Sequence, residues 1–206
     1  MCVFVVTQSG WQADLLRNVL AEELRQSSIP IFPDLATEHA KVHVMHGTGS
    51  LSLAATLLRT RRQPVALVAD SDSHVERVIK EKRDLLNEEL RIASTGIPWR
   101  VILAVPQLEI ICFQSPTFAD WFRKPYTSEL EGRNRLTEAK YKPRDVTDSL
   151  FAEMDTSEPG SIEPVTPWTS VFTKVPDRDV VIQEIRATPL ISELLEFIDE
   201  QSGVIV

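Results

Sequence analysis

The acidic tripeptide Asp70-Ser71-Asp72 closes an unbroken apolar run at residues 64–69, and a second acid, Glu109, ends the stretch Ala104-Val105-Pro106-Gln107-Leu108-Glu109 after the next apolar run. In an extended strand residues i and i+2 project to the same side. Asp70 and Asp72 would therefore converge, and repel, unless a cation neutralised them. A set of hard oxygen ligands without Cys or His suits magnesium or manganese rather than zinc. The alternative is a turn or helix cap in which the aspartates accept backbone hydrogen bonds. With 12 Asp in 206 residues, about one Asp-x-Asp is expected by chance. Asp177-Arg178-Asp179 reads as that instance, placed after Pro176 where acids suit a helix N-terminus. Asp70 and Asp72 differ in context, because the carboxyl end of a buried strand is where open α/β sheets bind ligands. If the strands before Asp70 and Glu109 are neighbours, Glu109 lies near the aspartates; an exposed glutamate at a helix start is the alternative.

Other candidates are weaker. Gly47-Thr48-Gly49-Ser50 lies at a strand-to-helix junction and could present N–H groups to a phosphate. It lacks the Lys of a P-loop and the third Gly of a dinucleotide fingerprint, so a tight connection is the better reading. His39, His43, His46 and His74 show no metal-ligand spacing, and no Gly-x-Ser-x-Gly or Cys/His signature is present. Residues 123–144 carry seven bases (Arg123, Lys124, Arg133, Arg135, Lys140, Lys142, Arg144) against three acids, a local charge of +4. That segment is either a solvated helix face or a phosphate-contacting patch.

The elements that must position these residues follow from periodicity. Residues 3–6 form a short apolar strand running into Thr7-Gln8-Ser9-Gly10. Trp11, Leu15, Val19 and Leu20, widened by Leu16 and Leu24, then recur at helical spacing. Residues 41–46 alternate as a strand does, and 51–60 form a leucine- and alanine-rich helix. The run 65–69 does not alternate, which predicts a central strand covered on both faces. Ser73 is placed to cap the next helix, with Val75, Val78, Ile79, Leu85, Leu86 and Leu90 as its buried stripe. Gly96-Ile97-Pro98 ends that helix and 99–105 form the next strand. The order β-α-β-α-β-α-β predicts a mainly parallel sheet with helices on both faces, and the strands at 3–6, 65–69 and 101–105 side by side or one apart. Residues 1–125 form this core, and 126–206 a mostly helical C-terminal extension. A loop is expected near 124–132, an irregular connector over the proline-rich 155–176, and a last helix over about 190–199.

The bulk properties fit a globular chain. Hydrophobic residues make up 43% and charged residues 25%, enough to bury a core. No apolar run approaches the roughly 18–20 residues of a membrane span. Residues 2–6 are too short, and lack a basic flank, for a signal-peptide core. Cys2 and Cys112 have no CxxC partner, which predicts two buried thiols in a reducing cytoplasm. The net charge of −8 argues against generalised nucleic-acid binding.

Three stretches carry a likeness to a known family. Val65-Ala66-Leu67-Val68-Ala69-Asp70-Ser71-Asp72, the Glu109 stretch, and Lys142-Pro143-Arg144-Asp145-Val146 resemble the strand-plus-DxD, the acidic helix start and the Lys-Pro helix start of Toprim-like (topoisomerase–primase) domains. The likeness is to the small prokaryotic relatives of the nuclease part of OLD-family ATPases, and covers about residues 1–150. It implies a magnesium or manganese site at Asp70, Asp72 and Glu109. It also implies a phosphodiester-processing, nuclease-like activity, with Arg123, Lys124, Lys140, Lys142 and Arg144 steering a nucleic-acid backbone, and a partner protein such as an ATPase. Toprim enzymes carry a Glu after the first strand, where this chain reads Thr7-Gln8-Ser9-Gly10. Gln8 in that place cannot act as a general base, so either Glu109 supplies the carboxylate or the site has lost its chemistry. A degenerate Toprim-like module that binds nucleotide, nucleic acid or protein without turnover is the alternative function. A manganese-dependent DxD glycosyltransferase has too little chain before residue 70, and a HAD-type phosphatase needs its DxD on the first strand.

Overall fold

The computed structural model describes residues 2–25, 42–126, 128–153 and 167–203. Strand β1 (Val3–Thr7) is followed by α1 (Gly10–Val19) and the short α2 (Ala21–Arg25). Then come β2 (Val42–His46), α3 (Ser50–Thr60), β3 (Val65–Asp70), α4 (Glu76–Ala93) and β4 (Trp99–Ala104). The remainder is helical: α5 (Ile110–Gln114), α6 (Pro116–Arg123), α7 (Glu129–Tyr141), α8 (Pro143–Glu153), α9 (Pro167–Lys174), α10 (Arg178–Arg186) and α11 (Pro189–Ser202).

The four strands form one sheet in the order β2-β1-β3-β4 with every pairing parallel. The expected adjacency of β1, β3 and β4 holds. Every residue of β3 is buried, which is why its sequence runs apolar without alternation. The edge strand β2 alternates, with Val42 and Val44 inward and His43 and His46 exposed. Side chains of successive strand residues split between two cores. Val3, Val5, Ala66, Val68, Ile102 and Ala104 pack with α1 and with helices from the C-terminal half. Val6, Leu67, Ala69, Val101 and Leu103 pack against α3 and α4. Helices therefore cover both faces, as the element order predicts. From β1 the chain steps outward to β2, then crosses to the opposite side of β1 for β3. That reversal opens a crevice at the carboxyl ends of β1 and β3, the place where doubly wound sheets bind ligands.

Several local expectations are corrected. Trp11 is 46% exposed; it meets the Phe151 ring edge-on at 5.3 Å rather than joining the α1 core face. In α4 only Leu86, Leu90 and Ala93 are buried, while Val75, Val78 and Leu85 face solvent. The apolar residues of this helix lie on two stripes, and the sheet takes one. Ser73 does not cap α4: Val75 holds the N-cap position, and the Ser73 Oγ accepts the Val75 N–H in a turn at 3.0 Å. Helix α7 starts at Glu129, inside the expected loop, because Ser128 caps it by accepting the Glu131 N–H at 3.1 Å. The expected connector is helical over 167–174, where Trp168, Val171 and Phe172 bury themselves against the α1 side of the sheet. Its first part, like His39 and Lys41, lies outside the described residues. No helix among the described residues is long and apolar enough to cross a membrane.

Candidate functional site

Four chain segments meet at the crevice between β1 and β3. The first is the turn after β1. Ser9 accepts the Gln12 N–H, and the Gln12 Oε1 accepts the Gln8 N–H at 3.2 Å. This is close to a capping box, in which the N-cap serine and the third helical residue satisfy each other's neighbourhood. With Oε1 so engaged, the amide of Gln12 must point its Nε2 donor away from the turn. It points at Asp70, 3.0 Å from Oδ1 and 2.9 Å from Oδ2.

Asp70 itself is the last residue of β3 and is fully buried. The third segment, the turn after β4, supplies the Leu108 N–H to Oδ1 at 2.8 Å. The fourth is the start of α8, where the Arg144 guanidinium donates through an Nη to Asp70 Oδ2. Both Asp70 oxygens are thus met by donors, the environment a carboxylate requires when it leaves water. Arg144 also reaches Glu109, with Nε 3.4 Å from Oε1. Its backbone N–H donates to Gln107 Oε1 at 3.3 Å, which fixes the start of α8 beside the β4 turn.

Glu109 is 3% exposed, and its second oxygen, Oε2, is buried without a hydrogen-bond partner among the described residues. Burial, helped by the neighbouring Asp70 charge, pushes its carboxyl above the ordinary range despite the opposing pull of Arg144. Burial also works against the charge on Arg144. Glu109 and Asp70 outweigh it, so the guanidinium is held protonated even more firmly than usual.

Asp72 stands apart. The strand ends at Asp70, and Asp72 adopts a left-handed conformation at φ 54°, so the same-side geometry of an extended chain does not reach it. Its N–H donates to the Pro106 carbonyl at 2.9 Å, while the Ser71 N–H donates to the Ala104 carbonyl at 2.8 Å. These bonds lace the β3 end to the β4 end. The Asp72 carboxylate is 54% exposed and pairs with Lys82 Nζ at 3.0 Å. Asp72 is therefore in a turn, and the expected convergence of the two aspartates does not occur. Among the described residues no three His, Cys, Asp or Glu side chains are grouped to hold a metal ion.

The structure brings together Asp70 and Glu109 of the expected acids. It brings in Gln8 only through its backbone. It also assigns Arg144, expected on a nucleic-acid surface, to the acidic site. The other bases of that segment are mostly paired within their helices: Arg123 with Asp120, Arg133 with Glu129, Arg135 with Glu138, and Lys142 with Asp145. Lys140 borders a cleft of about 550 Å³ floored by Ile110, Phe113 and Leu136. Cys112 is buried and Cys2 partly so; burial raises both thiols, Cys2 to about 11.

Gln12 escaped the sequence reading. Its signal was present as the Ser9-x-x-Gln12 spacing just before an apolar helical run, a helix-start signature. That spacing places the side chain at the mouth of β1 but cannot reveal that it faces Asp70. No protein-family model, curated protein or solved structure matches the chain.

Proposed function

We infer that this chain is a Toprim-like binding module whose acidic site is neutralised internally, and that it does not turn over phosphodiesters in this arrangement. One observation carries the reading: Asp70, the acid best placed to hold a cation, has both oxygens engaged by Gln12, Leu108 and the Arg144 guanidinium. Magnesium or manganese needs an array of free oxygen ligands. Here Asp72 is turned away to Lys82, and Glu109 offers one unengaged oxygen. The residues present do not fit the metal while Arg144 is in place. The bound partner belongs to the classes that the Toprim resemblance implies: a nucleotide, a nucleic acid or a partner protein such as an ATPase.

A second reading keeps metal-dependent phosphodiester processing, and a single observation favours it. The Glu109 Oε2 is buried without a hydrogen-bond partner among the described residues, and an oxygen so placed is suited to take a cation. That reading requires Arg144 to leave Asp70.

Thermal denaturation with and without millimolar magnesium or manganese, beside cleavage assays on DNA and RNA, separates the two. For a binding module, wild type shows no metal-dependent rise in Tm and no cleavage, and Gln8→Glu does not create it. A metal-dependent rise in Tm that Asp70→Ala abolishes and Asp179→Ala leaves intact, together with manganese-dependent cleavage lost in Glu109→Gln, replaces the module with the nuclease.

A further inference from the structure

Helix α4 carries a second apolar stripe that the sheet does not use. Val75, Val78, Leu85 and Ile92 are exposed by 60%, 39%, 60% and 60%. Lys82 and Glu89 fill the gaps between them, so the six positions alternate in steps of three and four residues along the helix. That spacing is the seam of a two-helix interface. The helix already has its core-facing stripe in Leu86, Leu90 and Ala93, so this one is surplus to the fold.

The charges of α4 say what covers it. Residues 76–83 hold four bases and two acids, whereas 84–93 hold three acids and one base. The terminal turns follow the helix macrodipole, with Glu76 in the first and Arg91 in the last. The segregation of charge lies between them, beyond the reach of the helix ends. A second α4 laid antiparallel sets each basic half against an acidic half. A parallel copy would set like against like. Within the seam the two charged positions are opposite in sign, Lys82, which also pairs with Asp72 of its own chain, and Glu89, and they lie on either side of Leu85.

We propose that the chain forms a two-fold symmetric dimer through antiparallel packing of α4 on α4, centred near Leu85. Val78 lies opposite Ile92 of the second copy, and Lys82 lies within one turn of Glu89 of the second copy. Such an interface is isologous, closed and free of further exposed seam. A helix of 18 residues is about 27 Å long. One helix pair of that length falls at or below the low end of stable interface sizes, which makes the dimer a weak, transient one.

Analytical ultracentrifugation of the full chain from about 2 to 500 µM tests this, the upper end being chosen for a weak, transient interface. Wild type moves from monomer to dimer across the range. Leu85→Asp weakens the dimer roughly 100-fold or more, because each copy loses a buried leucine at the axis. Leu85 is exposed in the monomer, and an unchanged Tm at low concentration shows that the variant is folded. Glu89→Lys, which sets a base within one turn of Lys82 of the second copy, also weakens association. Wild type that stays monomeric to 500 µM overturns the proposal, as does a dimer that both single variants leave intact.

Discussion

Replacing Arg144 with methionine keeps an aliphatic stem and removes the guanidinium from two buried carboxyl groups. Breaking a fully buried ion pair by deleting one partner costs about 3–5 kcal/mol. Three features reduce that here. The Arg144 side chain is 36% exposed, so water already screens it. Asp70 keeps the Gln12 amide and the Leu108 N–H. Glu109 is already biased toward its protonated form by burial. The expected loss is about 2 kcal/mol near pH 7.5, which for a chain of this size lowers Tm by about 4–8 °C. The loss has a pH signature. Without the guanidinium, the folded site favours the protonated Glu109 carboxyl, already raised by burial, so the variant regains stability relative to wild type as pH falls and Glu109 takes up its proton. Urea denaturation of both proteins at pH 7.5 and pH 5 measures the two differences. A variant as stable as wild type at pH 7.5, or a deficit as large at pH 5, would refute the view that Arg144 is the counter-charge of this site.

Three smaller perturbations probe the same geometry. Glu109→Gln removes a carboxyl whose folded pKa is raised. Its contribution to stability is present below the unfolded value and lost as pH rises through the folded one, so the variant gains on wild type with increasing pH in a denaturation series. Gln12→Ala leaves Asp70 one donor short and removes the Gln8 contact; it should cost about 1–3 kcal/mol in urea unfolding. At Asp72, the φ of 54° predicts that Asp72→Gly is nearly neutral while Asp72→Ala costs about 1 kcal/mol. If instead both Asp72 variants lose stability equally, the carboxylate and not the backbone sets this position.

The sequence by itself determined the parallel α/β core. An unalternating run as short as 65–69 suits a strand buried on both faces, and helical spacing between such runs suits crossover connections. The sequence made Asp70 and Glu109 neighbours only on the condition that their strands are adjacent, which the pairing of β3 with β4 supplies. What it could not determine is which charge meets Asp70. Arg144 is 74 positions away, on a helix whose docking depends on packing of the whole C-terminal half, and a local count of bases cannot tell an inward arginine from a solvated one. The fate of Asp72 was likewise decided by tertiary structure: hydrogen bonds from Ser71 and Asp72 to the β4 turn bend the chain out of extension two residues after the strand ends. In α4 the sequence gives both apolar stripes equal standing. Only the position of the sheet selects Leu86, Leu90 and Ala93 for the core, because a cylinder can bury one side against a flat surface and must leave the other to water or to a partner.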